Sequence, residues 1–131
     1  MTTISTKKTI KGGEFLLEES IYSAVFTPED YNEEQLMFRS SMRDFLNKEI
    51  EPIKEKFDSK EGTLLAPKLL EKMGELGFHG IGVPENYGGL NCDIKTEMAF
   101  GEIASDSFAF SQSIGVHTGL GVYPVLLYGN D

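Results

Sequence analysis

The sequence contains a single cysteine, Cys92, among 131 residues, so the chain cannot close an internal disulfide. This scarcity is typical of proteins in a reducing compartment. Long apolar runs are also missing. The most apolar stretches, residues 108–110 and 122–128, fall well short of the roughly 18 residues that a membrane span requires. We therefore expect no transmembrane segment.

Basic residues are few as well. Twelve lysines and arginines stand against 21 acidic residues, which gives a formal net charge of −9. Such a charge repels phosphate backbones and anionic lipid surfaces. The composition therefore argues against nucleic-acid and membrane partners, and against placing the phosphates of a nucleotide or of coenzyme A mainly on this segment.

The N-terminal residues lack the marks of a targeting signal. Residues 1–8 have no apolar core of the kind that a secretory signal needs, and no arginine precedes Arg39, whereas transit peptides are rich in arginine. We therefore predict a cytoplasmic protein. Residues 1–26 are predicted to be an extended, partly disordered lead-in, and residues 27–131 a helical domain.

The first predicted helix has a start signal and an apolar stripe. Residues 27–30, Thr-Pro-Glu-Asp, supply a capping hydroxyl, a proline at the first helical position and acids near the positive end of the dipole. Residues 32–35 repeat the capping pattern one turn later. Apolar residues then recur every three or four positions from Phe38 to Phe57. Pro52 lies within this stripe and should kink or divide the helix.

Further helices follow the same spacing. One is predicted over residues 64–76, another begins after the capping residue Asp93, and a third covers residues 108–120. Pro124 opens a last helical turn, which Gly129 closes. Since no segment shows the sustained alternation of a strand, the predicted fold class is all-α, an up-down helical bundle.

Residues 76–90, Leu-Gly-Phe-His-Gly-Ile-Gly-Val-Pro-Glu-Asn-Tyr-Gly-Gly-Leu, combine a helix end with a tight turn, and we call them the elbow. Gly77 stands where a helix would end in the left-handed conformation, and Phe78 supplies the apolar contact that often closes such a cap.

The second half of the elbow is predicted to be a short extended step and a turn. Pro84 disfavours helix at the residue before it, so Ile81 and Val83 should be extended. Gly88 and Gly89 then provide two positions that are free to take positive φ.

Residues that could carry chemistry give no catalytic or metal site. His79 and His117 are too far apart to form a helical ligand pair, and neither has a cysteine or carboxylate at metal spacing. Glu97 and Glu102 are five residues apart, about 140° around a helix, so they do not face each other and are assigned to solvated surface. The glycine clusters lack the order of a dinucleotide fingerprint and the lysine of a phosphate loop.

The helix over residues 108–120 departs from ordinary core design. Gln112, Val116 and Leu120 lie at i, i+4 and i+8 and share one face. Gly115 and Gly119 flank that face, although each glycine costs a helix roughly 1 kcal/mol against alanine. Either another helix or a long, thin apolar ligand approaches closely here, and spacing alone leaves both alternatives open.

Residues 11–131 resemble the N-terminal domain of acyl-CoA dehydrogenases. Three motifs carry the resemblance: the elbow, Glu102-Ile-Ala104, and His117-Thr-Gly-Leu-Gly-Val-Tyr-Pro-Val-Leu-Leu-Tyr-Gly129. The lead-in, through residues 11–16 and 25–30, is similar to that of the long-chain and very-long-chain branch.

The resemblance implies an FAD-dependent flavoprotein that desaturates a fatty acyl-CoA thioester between its α and β carbons. In this family a glutamate removes the α-proton, hydride passes to flavin N5, and an electron-transferring flavoprotein accepts the electrons. A β-domain and a second helical domain follow the first and hold most of the flavin, together with the partner subunit of a homo-oligomer. We therefore expect this chain to be a fragment that does not bind FAD tightly and is inactive alone.

By family position, Gln112, Val116 and Leu120 match the helix face that lines the acyl pocket, and Gly115 and Gly119 would deepen it for a long chain. These five are the predicted substrate-binding residues, and cofactor-binding residues are not assigned. Two alternatives remain: an acyl-CoA oxidase or flavin monooxygenase of the same superfamily, and a non-enzymatic helical module that binds partners.

Overall fold

The computed structural model describes residues 10, 12–19, 21–57 and 59–130, which fall into two compact units, Met1–Asn32 and Glu33–Asp131. Residues 1–9, 11 and 20 of the predicted lead-in lie outside the described residues. The described part of the first unit contains three short 3-10 turns, which span Glu14–Leu16, Tyr22–Ala24 and Pro28–Asp30.

The start signal at Thr27 folds as a turn of its own. Its backbone N–H donates to Asp30 Oδ2 at 3.0 Å, as part of a capping box in which the predicted capping residue Thr27 pairs with Asp30. The turn stops at Tyr31, because this residue has an extended backbone with ψ near 132°. The long helix begins only at Glu33, directly after Asn32, where the second capping pattern lies.

The second unit is built from helices, and the predicted all-α class is confirmed: the described residues contain no strand. The α-helical elements are α1, Glu33–Phe45; α2, Lys54–Phe57; α3, Gly62–Glu75; α4, Ile94–Ala104; α5, Phe108–Gly115; and α6, Tyr123–Tyr128. The cap predicted at Asp93 is confirmed, since Asp93 Oδ1 accepts the backbone N–H of Thr96 at 2.9 Å.

Two stretches of π-helix, Leu46–Ile50 and Val116–Val122, interrupt the α-helical pattern. Each ends two residues before a proline, Pro52 or Pro124. A proline ring inside an α-helix clashes with the carbonyl four residues earlier, and a π-helix has wider turns that shift this carbonyl. The predicted helix over residues 108–120 is therefore α-helical only to Gly115. We call Val116–Val122 the wall segment.

The first half of the elbow follows the prediction. Gly77 has φ of +77° and ends α3 in the left-handed conformation, and Phe78 is buried behind it. The extended conformation predicted for Ile81 is wrong: its φ and ψ of −52° and −51° are helical, and a 3-10 turn covers Phe78–Gly80.

A backbone hydrogen bond accounts for that difference: the N–H of Val83 donates to the carbonyl of Gly80 at 3.1 Å, which closes a turn that contains Ile81. Further backbone hydrogen bonds tie the two halves of the elbow together. The N–H groups of Leu90 and Cys92 donate to the carbonyls of Gly80 and Ile81, each at 2.8 Å. Of the two turn glycines, Gly88 has φ of +80°. Gly89 is required for space instead, because a Cβ there would lie 2.0 Å from the carbonyl oxygen of Val83.

A chain of five phenylalanine rings joins the elements of the second unit. Phe57 packs edge-on against Phe110, Phe110 stacks on Phe45 at 5.8 Å, Phe45 meets Phe78 edge-on, and Phe78 lies 5.1 Å from Phe100. All five are buried. They come from α2, α5, α1, the elbow and α4, so one aromatic cluster holds the bundle together.

Core packing in α1 can be tested with two methionines of the same helix. Met42 is fully buried, whereas Met37 is 58% exposed. We expect Met42→Ala to lower the free energy of unfolding by about 2–5 kcal/mol, because it leaves a cavity. Met37→Ala should change it by less than about 0.5 kcal/mol. Urea unfolding followed by circular dichroism measures both, and equal losses would contradict the assigned orientation of α1.

Candidate functional site

A cavity of about 280 Å³ lies between the elbow, α4 and the continuous helical run formed by α5, the wall segment and α6. Its lining is mostly apolar, with a few polar groups at its edges. The elbow contributes Phe78, His79, Ile81, Gly82 and Val83; α4 contributes Glu97, Met98, Phe100, Gly101 and Ala104; and the helical run contributes Ser111, Ile114, Gly115, Thr118, Gly119, Val122, Tyr123 and Leu126. An apolar lining with few polar groups is typical of sites for small molecules.

The five predicted substrate-binding residues fall on two sides of the helical run. Gly115 and Gly119 line the cavity, and a Cβ added at either glycine would meet no atom within 4 Å. Gln112 is exposed, as are Val116 at 56% and Leu120 at 76%, and these three lie outside the cavity lining. The face that Gln112, Val116 and Leu120 share is therefore exposed, and the two glycines leave free space on the side of the helix that lines the cavity. That any of the five binds substrate stays a prediction.

A hydrogen bond between α4 and α6 closes one edge of the cavity. The hydroxyl of Tyr123 donates to Glu97 Oε2 at 2.5 Å. This bond, together with partial burial and the negative charge of Glu97, raises the pKa of Tyr123 to about 12. The assignment of Glu97 to solvated surface is thus wrong, because its carboxylate is half-buried beside Gly82. Glu102 is exposed and forms an ion pair with Arg39.

The two histidines also meet, and one of them, His79, lines the same cavity. The rings of His79 and His117 lie 4.4 Å apart, centroid to centroid, at an angle of 51°. His79 Nε2 lies 2.7 Å from the carbonyl oxygen of Leu70 and donates its hydrogen to it. Burial lowers the pKa of His79; the hydrogen bond to Leu70 opposes this shift, and the charge of His117 adds to it.

Neither contact was found by sequence reasoning, which considered each histidine and glutamate within its own segment. Glu97 and Tyr123 are separated by 26 residues, and the two histidines belong to different motifs. A useful signal was present, however: the sequence has only two histidines, and both lie in motifs that carried the family resemblance.

Other reactive groups fit structural roles. Burial, followed by the nearby charges of Glu34, Asp93 and Glu97, raises the pKa of the Cys92 thiol, so this thiol is a poor nucleophile. Within residues 10, 12–19, 21–57 and 59–130, no group of three or more His, Cys, Asp or Glu could hold a metal ion. No helix in the same part of the chain is long and apolar enough to cross a membrane.

The bond between Tyr123 and Glu97 predicts a specific alkaline transition. Tyr123 should ionise near pH 12, and Glu97→Gln should return its pKa toward the ordinary value of 10. Because the folded pKa is raised, the stability from this bond is complete below pH 10 and is lost as pH rises toward 12.

The near-ultraviolet absorbance of tyrosinate follows this titration. Glu102→Gln is the matched control on the same helix, because Glu102 pairs with Arg39 and should leave Tyr123 unchanged. A Tyr123 that ionises with the same pKa in the parent chain and in Glu97→Gln would contradict the assigned bond.

Comparisons with known proteins agree with this architecture. The family described as acyl-CoA dehydrogenase, N-terminal domain, matches residues 32–131. A probable acyl-CoA dehydrogenase of Bacillus subtilis is 35% identical over 121 residues, which cover 92% of this chain and 20% of that protein. A second acyl-CoA dehydrogenase of Bacillus subtilis is 39% identical over 100 residues, 76% of this chain and 26% of that protein.

A solved structure matches in three dimensions as well. The acyl-CoA dehydrogenase of Bacillus anthracis complexed with FAD superposes with a TM-score of 0.83 at 36% identity, and the match covers 94% of this chain and 21% of that one. Short-chain specific acyl-CoA dehydrogenases also match, at 30% identity. The chain thus spans about a fifth to a quarter of the length of these relatives. It belongs to the acyl-CoA dehydrogenase family, and the part that it represents is the N-terminal domain.

Proposed function

We propose that this chain is the N-terminal domain of an FAD-dependent enzyme that desaturates fatty acyl-CoA, and that it supplies one wall of the acyl pocket. The observation that carries the proposal is the open face formed by Gln112, Val116 and Leu120. Val116 and Leu120 expose more than half of their surface although they extend a helix whose other side is buried. Exposed apolar groups clustered in this way mark binding surfaces.

The polarity of this face suits an acyl chain. Two of its three side chains are apolar, and α6, the next element along the chain, has further exposed apolar residues, including Val125 and Leu127, each 69% exposed. None of these five side chains is charged. A hydrocarbon tail could be removed from water here without burying a charged side chain.

The finer assignment, a long-chain or very-long-chain substrate, rests on the glycines. Gly115 and Gly119 leave the helix without side chains between its open face and the cavity of about 280 Å³. Larger residues at these positions would fill this space. We propose that the acyl tail uses it, so that the pocket accepts long chains.

The described residues do not fit a phosphate site for FAD. Both arginines of the sequence are engaged, Arg39 with Glu102 and Arg43 with Asp106, and the net charge of −9 opposes a pyrophosphate. We therefore propose that other domains hold FAD in the complete enzyme. Transfer of its electrons to an electron-transferring flavoprotein, a homo-oligomeric assembly and a cytoplasmic location belong to the same proposal.

The role of the glycines can be tested in a complete enzyme that carries this domain. Gly115→Leu should lower kcat/KM for hexadecanoyl-CoA by about tenfold or more relative to octanoyl-CoA, because a side chain then occupies the tail end of the pocket. Gly115→Ala, which adds only one carbon, is the control and should have a smaller effect. An unchanged chain-length profile in Gly115→Leu would refute the proposed role of this glycine.

The proposal that activity requires the other domains can be tested directly. The 131-residue chain alone should show no acyl-CoA-dependent reduction of an electron-accepting dye, even with added FAD, since the catalytic glutamate and most of the flavin site are proposed to lie in other domains. The complete enzyme in the same assay is the positive control. Dye reduction by the chain alone would overturn the assignment, and a complete protein that binds no flavin and reduces no dye would favour the non-enzymatic alternative.

A further inference from the structure

The only two histidines of the sequence meet ring to ring, although 37 residues separate them along the chain. His79 belongs to the 3-10 turn Phe78–Gly80 of the elbow, and His117 to the π-helical wall segment. The pair therefore joins the elbow to the segment that carries Val116 and Leu120. Stretches of π-helix are rare in proteins, and those that occur are often located at functional sites.

His79 is held in one neutral form. A carbonyl oxygen only accepts, so the hydrogen of the bond to Leu70 is on Nε2, and Nδ1 carries a lone pair. Nδ1 is buried and has no hydrogen-bond partner among the described residues. The ring also fits closely against α3, because a Cβ at Gly74 would lie 3.3 Å from its Cδ2 atom. A proton on Nδ1 would place a charged N–H where nothing accepts it.

We propose that His79 and His117 are positioning residues which hold the wall segment against the elbow while His79 is neutral, and that protonation of His79 releases the segment. The contact itself is independent of the proposed function. Only its consequence, a pH-dependent position of the acyl wall, rests on that function.

The surroundings offer little to compensate a positive charge. From α3 the ring meets the Leu70 carbonyl, whose bond is already made, and Gly74. From the wall segment it meets His117, whose charge would repel it. From α4, Glu97 lines the same cavity, but its carboxylate accepts the hydroxyl of Tyr123 from α6.

The direction of the pH effect follows from the lowered pKa of His79. An unfolded or released histidine has its ordinary value, 6.5, whereas the folded group binds its proton only at lower pH. The released state therefore binds more protons below pH 6.5, and the contact weakens as pH falls from there toward the folded pKa. Above pH 6.5 the stabilisation by the contact is complete.

Hydrogen exchange of the wall-segment amides in the 131-residue chain tests the proposal. Between about pH 7.5 and about pH 5.5, their protection, corrected for intrinsic exchange, should fall by about tenfold. Amides of α1 should keep their protection, which distinguishes local release from global unfolding. The double variant H79F/H117F keeps two rings but has no titrating group, so its wall segment should lose this pH dependence. Equal pH dependence in the parent chain and the double variant would overturn the proposal.

A second measurement needs no variant. Because the sequence has two histidines, histidine labelled with ¹⁵N gives two ring spectra. His79 should be in the Nε2–H form and titrate below 6.5. A His79 ring that titrates at the ordinary value of 6.5 would also overturn the proposal. Neither experiment uses acyl-CoA or flavin, so failure here leaves the proposed function untouched, and failure of the chain-length test leaves the histidine contact untouched.

Discussion

The packing of five phenylalanine rings is the interaction on which the bundle depends. Phe57, Phe110, Phe45, Phe78 and Phe100 form one continuous series of contacts, and each ring comes from a different element. Buried aromatic pairs contribute beyond the area that they remove from water, about 0.5–1.5 kcal/mol each. The ion pairs between α1 and the end of α4 are largely exposed and contribute less. The rings bring the elbow and α5 together, and the cavity forms between these elements.

What could be predicted from the sequence was local. The cap at Asp93, the left-handed Gly77 and the apolar stripe of α1 each depend on residues a few positions apart, and each is present in the structure. The contacts from Glu97 to Tyr123 and from His79 to His117 join distant segments, so no spacing rule predicts them. Periodicity predicts single helices but not how they are arranged. The resemblance to acyl-CoA dehydrogenases supplied that long-range information.

The prolines explain why one predicted helix differs from the observed one. The prediction for residues 108–120 assumed the same number of residues in every helical turn, but the turns are wider in the π-helix before Pro124. The same happens before Pro52, where the backbone N–H of Glu51 donates to Leu46, five residues back. A proline thus changes the helix on its N-terminal side without breaking it, and this change alters which residues share a face. Gly115 and Gly119 line the cavity, whereas Val116 and Leu120 lie outside it.

The three-residue turn Phe78–Gly80 places two neighbouring rings in two different environments. Phe78 belongs to the aromatic core, and His79 lies against the wall segment. A short turn with its backbone tied at Gly80 cannot move one ring far without moving the other. The turn therefore couples the wall to the core, so a molecule that binds the wall should raise the melting temperature of the bundle.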